Sequence, residues 1–170
     1  MANFPTVDEV SEIDVMSTPF FQPDVNFVKW LIEYANGRMI IDCGAGSCYL
    51  TAMIHHLGYN KCIAIEPHYT EERNIFWRKK GFNFHVFYKQ SEEEKIIQDI
   101  PNNNALLLFA RPCHSGFVYR TITKNMPEGM EALYISHKGN ESDDLGELKY
   151  TKLKHEGTSK QNEYVLSIKK

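Results

Sequence analysis

The chain has 170 residues, of which 42% are hydrophobic, and it carries a formal net charge of −3 with a pI near 6.2. This length supports one domain with a sizeable core and is too short for two. The charge excludes binding of nucleic acid by bulk electrostatics, because domains that bind in this way usually carry a strong basic excess. Segment 1–15 has no basic start followed by an apolar stretch, and no run is long enough to span a bilayer. We therefore expect a cytoplasmic protein without a membrane segment.

The predicted elements alternate between helices and strands along the chain. A first helix opens at Pro23-Asp24, gathers apolar residues on one face and ends near Asn36-Gly37. Apolar runs predict the strands that follow, and capping residues, glycine or proline bound the helices between them. The predicted strands are 39–43, 61–66, 82–88, 105–110, 132–136, 148–155 and 164–169. The helices predicted between them are about 48–56, 70–81, 91–100 and 116–125.

This order of elements predicts a Rossmann-like α/β fold, in which a mostly parallel seven-stranded sheet forms the middle of a three-layer sandwich. The run 105–110 is continuously apolar, which is typical of a central strand buried on both faces. The turn-rich segment 157–162 joins the last two strands as a C-terminal antiparallel hairpin. We expect a single domain over 1–170, with an N-terminal extension at 1–22, a core at 23–147 and the hairpin at 148–170.

The turn after the first strand carries an acid and two glycines at alternate positions, Asp42, Gly44 and Gly46. Glycine at these positions lets the backbone approach a ligand closely or adopt a positive φ angle. The helix that opens at about Ser47 offers unpaired N–H groups to an anion. Glu66 ends the next strand, at the place where the acid of a nucleotide-binding βαβ unit accepts ribose hydroxyls.

These residues resemble motifs I and II of the class I S-adenosylmethionine-dependent methyltransferases, whose first motif is an acid followed by glycines at alternate positions. The match covers Asp42, Gly44, Gly46 and Glu66, and it departs at Cys48, which stands where the family usually has a third glycine. The resemblance implies S-adenosylmethionine as cofactor and in-line transfer of its methyl group. The cofactor-binding residues that it implies are Phe20, Asp42, Gly44, Ala45, Gly46, Glu66, Pro67 and Gln90.

Three positions near this motif have more than one interpretation. Gln90 ends the third predicted strand, where the family often has an acid for the adenine amino group, and its amide oxygen would accept that group. Phe20 resembles an N-terminal aromatic that folds over the methionine end of the cofactor in some methyltransferases. An aromatic staple beneath the first helix explains Phe20 equally well. His68 either stacks on the adenine or is exposed.

The methyl acceptor is expected at the carboxyl end of the fourth predicted strand, near segment 110–114. His114 is the candidate general base, because histidine titrates close to neutral pH, or else it begins the following helix. Arg111 binds an acidic acceptor or pairs with a carboxylate of this protein. Together these two residues are the predicted catalytic set.

Two nucleobase reactions are disfavoured at this strand end. The segment lacks the Pro-Pro-aromatic pattern of enzymes that methylate amino groups of flipped bases. Pro112-Cys113 resembles the Pro-Cys of cytosine C5 methyltransferases, but Ser136-His137 stands where an acid would follow the fifth strand. A packed, inert Cys113 is therefore the favoured interpretation.

The remaining composition leaves the acceptor and the partners open. The four cysteines contain no CxxC pair, and no set of about four converging ligands is visible, so we expect reduced thiols and no metal. The acceptor is a small molecule, a protein or RNA. The chain lacks insertions that would form a substrate lid, so a partner protein is an option for supplying the acceptor site.

Two alternatives from other classes remain. The first is a binding or scaffold protein that keeps the fold, and even the cofactor, without transferring a methyl group; Cys48 and the unfamiliar segment 110–113 favour it. The second is a nicotinamide or flavin oxidoreductase. It is disfavoured because Tyr49 stands where the dinucleotide fingerprint needs Gly or Ala.

Overall fold

Seven strands form one mixed sheet in the order β3-β2-β1-β4-β5-β7-β6. The computed structural model describes residues 3–101, 103–112 and 116–170, and it describes the side chains of all of these except Gln90 and Ser91. The strands are β1 (Met39–Cys43), β2 (Cys62–Ile65), β3 (Val86–Phe87), β4 (Ala105–Ala110), β5 (Glu131–Ser136), β6 (Thr151–Leu153) and β7 (Tyr164–Lys169). Strands β1 to β5 are parallel, and β7 is antiparallel to both β5 and β6. The predicted fold class is confirmed.

The helices connect these strands and cover both faces of the sheet. They are α1 (Val7–Ser11), α2 (Val25–Ala35), α3 (Tyr49–His56), α4 (Glu71–Lys79), α5 (Gln90–Asp99), α6 (Phe117–Arg120) and α7 (Glu141–Leu145). A π-helical turn, Thr121–Asn125, continues α6. Within the described ranges, no helix is long and apolar enough to cross a membrane.

Four elements differ from the sequence-based expectation. Helices α1 and α7 were not expected, because each is only five residues long and lies in a polar stretch without apolar periodicity. Strand β3 keeps only two of the seven expected residues, since it is an edge strand that pairs with β2 alone. Strand β6, also at an edge, keeps three residues that pair with β7. Edge positions thus shortened both strands.

Alternate residues of the central strands point to opposite faces of the sheet, which divides the core into two layers. Ile40 and Leu106 pack with α2, α3 and Trp77 of α4 on one face. Ile41 and Leu107 pack with residues of α5, α6 and the π-helical turn on the other face. The four strand residues are fully buried. Their continuous apolar runs in the sequence follow from this double coverage.

The strand order reverses between β1 and β4. Strands β2 and β3 lie on one side of β1, whereas β4 and β5 lie on its other side. In an open parallel sheet, the crevice outside the carboxyl ends of the strands at this reversal is the usual ligand site. The fold therefore brings the turn after β1, the end of β2 and the end of β4 to one place.

Candidate functional site

A cavity of about 280 Å³ lies over the carboxyl ends of β1, β2 and β4. Its lining includes seven of the eight predicted cofactor-binding residues: Phe20, Asp42, Gly44, Ala45, Gly46, Glu66 and Pro67. The eighth, Gln90, begins α5, and its side chain is not among those described. Arg111 also lines the cavity. His114 and Cys113 lie outside the described residues.

The turn after β1, residues 43–48, is here called the glycine loop. Gly44 and Gly46 both have positive φ angles, 71° and 60°. The N–H groups of Gly44 and Ala45 donate to the carbonyl oxygen of Ile65 at 2.8 and 3.0 Å, which holds the loop against the end of β2. A Cβ atom at Gly46 would meet no heavy atom within 4 Å. The loop therefore has the backbone that glycine permits and leaves open space beside it.

Cys48 occupies the position of the missing third glycine and keeps the conformation that glycine would have. Its φ angle is 68°, in the left-handed region that residues with a Cβ rarely adopt. The side chain is fully buried, and burial raises the pKa of its thiol well above the ordinary value. Cys48 precedes α3 without a side-chain cap in the described structure. The first N–H groups of α3 are thus not capped by this side chain and are suited to an anion.

Glu66 binds the glycine loop through one carboxylate oxygen and the turn after β2 through the other. Oε1 accepts the N–H of Gly46 at 2.7 Å, and Oε2 accepts the N–H of His68 at 2.9 Å. The side chain is buried within the cavity lining. Each carboxylate oxygen has two lone pairs, so both keep the capacity to accept a further hydrogen bond. Glu66 therefore shapes the loop and can still accept hydroxyl groups of a ligand.

Asp42 is a buried acid with few hydrogen-bond donors around it. Its Oδ2 accepts the hydroxyl of Thr51 at 2.8 Å, and the residue is 2% exposed. Burial raises the pKa of Asp42 to about 6, the Thr51 hydrogen bond lowers it, and the charge of Glu66 raises it further. An incompletely compensated carboxylate in a cavity wall favours a cation beside it.

Two buried side-chain oxygens have no hydrogen-bond partner among the described residues, Ser47 Oγ and Glu93 Oε1. Ser47 lies in the glycine loop and lines the cavity. Glu93 lies in the first turn of α5, and burial, Glu94 and Glu66 together raise the pKa of its carboxyl. Buried polar groups are normally paired, so Ser47 Oγ is a polar atom available to a ligand. In the sequence, Ser47 lies between Gly46 and Cys48 of the motif, and this position could have identified it as a site residue.

Two side chains of α4 hold the glycine loop by hydrogen bonds to its carbonyl oxygens. Arg73 Nη1 donates to the carbonyl oxygen of Gly46 at 3.1 Å, and Trp77 Nε1 donates to that of Ser47 at 2.6 Å. Both side chains are almost completely buried. Arg73 was not predicted as a site residue, because nothing in its local pattern distinguishes it from a solvent-facing arginine of an amphipathic helix.

Arg111 follows β4, and its guanidinium is already paired. Nη1 donates to Glu163 Oε1 at 3.0 Å and to Gln161 Oε1 at 2.8 Å. The carboxylate of Glu163 is fully buried. Arg111 also has a positive φ angle, 52°, which is a strained conformation for arginine. Of the two interpretations of this residue, the contact seen is the one with a carboxylate of this protein.

Two adjacent aromatic residues of the N-terminal segment divide the roles expected for one. Phe21 is buried, and its ring centroid lies 5.3 Å from that of Phe27 in α2. Phe20 is 52% exposed and lines the cavity. The staple beneath the first helix is therefore Phe21, while Phe20 faces the site. In the described ranges, no three side chains of His, Cys, Asp or Glu come together as a metal site.

No protein-family model matches the chain, and no curated protein matches it in sequence. Solved structures match it in fold. A glutamate-to-glutamine mutant of MtNAS in complex with S-adenosylmethionine is 18% identical with a TM-score of 0.60, and the match covers 85% of this chain and 62% of that chain. A second MtNAS structure, in complex with MTA and tNA, is covered over 58%. This chain thus spans about three fifths of the length of MtNAS.

Two neighbours of more similar length are described as methyltransferases. The putative methyltransferase yhhF from Escherichia coli is 15% identical with a TM-score of 0.57, over 84% of this chain and 83% of that chain. A putative caffeoyl-CoA O-methyltransferase from Staphylococcus aureus is 10% identical with a TM-score of 0.59, over 98% and 93%. The chain has the class I methyltransferase fold, as the resemblance of its motifs implied.

Proposed function

We propose that this chain is an S-adenosylmethionine-dependent methyltransferase whose cofactor is bound by the glycine loop, Asp42 and Glu66. The observation that carries the proposal is the cavity at the reversal of strand order, which gathers an acceptor of hydroxyl groups, an uncapped helix start and a poorly compensated carboxylate. When bound, the cofactor supplies a methyl group activated by a positively charged sulfur.

The residues of the site match the chemical groups of that cofactor. Glu66 has the remaining acceptor capacity for two ribose hydroxyls. The start of α3 and the unpartnered Ser47 Oγ suit the carboxylate of the methionine part. Asp42 suits a cation, which is either the sulfonium or the ammonium group. Open space at Gly46 admits the ligand where a Cβ would occupy it.

The predicted contacts of Phe20, Ala45, Pro67 and Gln90 complete the proposed cofactor site. Phe20 and Pro67 contribute apolar surface to the cavity wall and help to exclude water. Ala45 belongs to the glycine loop, whose backbone faces the ligand. Gln90 keeps its proposed contact with the adenine amino group; it begins α5, and β3 ends shortly before it at Phe87.

Transfer to an acceptor would depend mainly on alignment. Beside β4, the described lining is apolar apart from Arg111, whose guanidinium is occupied by Glu163 and Gln161. These residues can position an acceptor and exclude water but cannot remove its proton. His114 therefore remains the proposed base, and Arg111 the proposed contact for an acidic acceptor after exchange of its present partners. A small molecule, a protein or RNA would serve as acceptor.

A second candidate function is ligand binding without transfer. The observation that favours it is the pairing of Arg111 with a fully buried carboxylate, which leaves the acceptor side without a free charged group among the described lining residues. Production of S-adenosylhomocysteine separates the two functions. A binding protein would bind the cofactor and release no product.

The cofactor proposal is tested by calorimetric titration of the purified protein with S-adenosylmethionine, S-adenosylhomocysteine and NAD. We expect binding of the two adenosyl ligands and no binding of NAD. Asp42→Ala and Glu66→Ala should each weaken binding by about a hundredfold or more, since each removes a charge-assisted contact. Glu33→Ala, which removes an exposed carboxylate of α2, is the matched control and should bind as the unchanged protein does. No binding of either adenosyl ligand would refute the proposal.

A further inference from the structure

Residues 15–21, here called the strap, form part of the wall of the cavity. Met16, Thr18, Pro19, Phe20 and Phe21 of the strap line it. Met16 and Phe20 are 71% and 52% exposed although they are apolar. A ligand in the cavity would cover part of this apolar surface, so binding should favour the strap in its present position.

Hydrogen bonds attach the strap to neighbouring segments at both of its ends. At its far end, Gln22 accepts the N–H of Lys160 at 3.0 Å, and the N–H of Asp24 donates to Thr158 at 2.8 Å. These contacts fasten it to the loop between β6 and β7. At its near end, Asp14 Oδ1 accepts the N–H of Met16 at 3.0 Å. The Asp14 carboxylate thus helps to orient the start of the strap, together with the buried Ser17, whose hydroxyl donates to the carbonyl oxygen of Val10 at 2.6 Å.

Arg73 connects Asp14 to the glycine loop through one planar group. Its Nε and Nη2 donate to the two oxygens of Asp14 at 2.8 and 3.0 Å, and its Nη1 donates to the carbonyl oxygen of Gly46 at 3.1 Å. The N–H of Gly46 in turn donates to Glu66. The guanidinium is rigid, so a displacement of Asp14 must turn the plane that holds Gly46.

The ion pair between Arg73 and Asp14 is mostly buried, unlike an ordinary surface ion pair. The Arg73 side chain is 4% exposed and that of Asp14 is 20% exposed. The hydroxyl of Thr70 also donates to Asp14 Oδ2 at 2.9 Å. By contrast, the neighbouring pair Lys80–Glu9, which joins α4 to α1, is more than 40% exposed on both sides and touches neither the strap nor the loop.

We propose that Arg73 is a positioning residue for the adenosyl ligand, which couples closure of the strap over the cavity to the geometry of the glycine loop. The inference rests on the proposed function, because it takes the ligand from it. Arg73 acts through Asp14 on one side and through Gly46 and Glu66 on the other. Ligand binding and strap closure then favour each other.

The test combines ligand affinity with hydrogen exchange on the full chain, using S-adenosylhomocysteine as the probe. In the unchanged protein, the ligand should slow exchange of the strap amides, with Met16 as the main reporter. Asp14→Asn and Arg73→Met should each weaken binding about tenfold and abolish the slowing of strap exchange. The double variant should bind no more weakly than Arg73→Met alone, since the two residues act as one unit.

Lys80→Met is the matched control, because it breaks a second ion pair, between the end of α4 and Glu9 of α1, that makes no hydrogen bond to the strap or the glycine loop among the described residues. It should leave affinity and strap exchange unchanged. Arg73→Lys replaces Arg73→Met if the latter does not fold. Lysine keeps the charge but has no planar fork to reach Asp14 and Gly46 together, so a loss of about tenfold is expected again.

The outcomes separate this inference from the proposed function. If the unchanged protein binds the probe, and the Asp14 and Arg73 variants bind it equally well while unfolding at lower temperature, the pair only stabilises the fold and the inference is overturned. If the unchanged protein binds neither adenosyl ligand, the proposed function fails and the inference fails with it. Weakened binding together with additive losses in the double variant would also overturn the coupling.

Discussion

One buried carboxylate, Asp42, lies at the carboxyl end of β1, and another, Glu131, lies at the amino end of β5; the two differ in how completely hydrogen bonds compensate their charge. Asp42 at the carboxyl end of β1 accepts one side-chain hydroxyl, and burial raises its pKa to about 6. Glu131 at the amino end of β5 accepts hydrogen bonds from three side chains. Burial raises the pKa of Glu131, but these three hydrogen bonds and the charge of Arg38 outweigh it and lower the pKa below the ordinary value.

The difference shows at which end of the sheet the protein itself compensates the buried charge. The donors around Glu131 are Arg38, Tyr34 and Ser167, and none of them lines the cavity. A buried charge that the chain satisfies by itself is a structural element. A buried charge with a raised pKa in a cavity wall is instead a candidate for a ligand contact. The contrast therefore supports the proposed role of Asp42 in ligand binding, whereas Glu131 is a structural element.

The largest expected effect is a loss of stability on substitution of Glu131, at the amino end of β5. Glu131→Ala leaves Arg38 and Tyr34 without their acceptor and should lower the free energy of unfolding by about 3 to 5 kcal/mol. Urea unfolding at pH 7 measures it. Because the pKa of Glu131 is lowered in the folded state, its stabilisation is present above the ordinary glutamate pKa and is lost as pH falls below it. Unchanged adenosyl-ligand affinity is expected, and a parallel loss of affinity would break the comparison.

The second prediction concerns Asp42, at the carboxyl end of β1, where the expected change in the free energy of unfolding has the opposite sign. Asp42→Asn removes a buried charge while keeping an acceptor for Thr51, so it should raise the free energy of unfolding at pH 7 by about 2 kcal/mol. The unfolded chain releases this proton near the ordinary aspartate pKa, whereas the folded chain holds it up to about pH 6. The wild-type protein thus loses stability as pH rises through this window. Unfolding at pH 4 should show almost no gain, and equal gains at both pH values would contradict the assignment.

A third prediction concerns affinity across the same pH window. If the cationic cofactor binds ionised Asp42, affinity for S-adenosylmethionine should fall about tenfold for each pH unit below 6. Calorimetry from pH 5 to pH 8 tests this, with Asp42→Asn as the control that should show no such slope. S-adenosylhomocysteine lacks the sulfonium charge but keeps the ammonium group. A weaker slope with it would assign Asp42 to the sulfonium, and an equal slope would assign it to the ammonium.

The smallest expected effect concerns the strained backbone of Cys48 in the glycine loop. Cys48→Gly and Cys48→Ala both remove the buried thiol, but only glycine relieves the positive φ angle. Cys48→Gly should therefore be more stable than Cys48→Ala by about 1 kcal/mol in urea unfolding. Equal stabilities would mean that the loop relaxes when the side chain is shortened. The amino end of β5 offers no similar pair of variants, since Glu131 is not one of the described residues with a positive φ angle.

Most of the fold could be predicted because its signals are local. The apolar runs at 39–43 and 105–110 became strands with the expected bounds, and Asp24 and Thr70 cap their helices as such residues do. The glycine loop was predictable for the same reason, since positive φ at Gly44 and Gly46 is a property of single residues. Cys48 was the exception, because tertiary packing holds it in a conformation that its own side chain disfavours.

The sequence alone determined the order of the strands and of the helices other than α1 and α7, the loop at Asp42 to Gly46 and the acid at Glu66, because these depend on neighbours within a few residues. Only the tertiary structure decided which charges meet. Asp14 and Arg73 are 59 residues apart, and Tyr34 and Glu131 are 97 residues apart. Contacts of this kind arise after the sheet has brought distant segments together, and a charged residue has the same local pattern whether it will be solvated or buried. For that reason the proposed cofactor-binding residues were visible in the sequence, whereas the proposed positioning residue Arg73 was not.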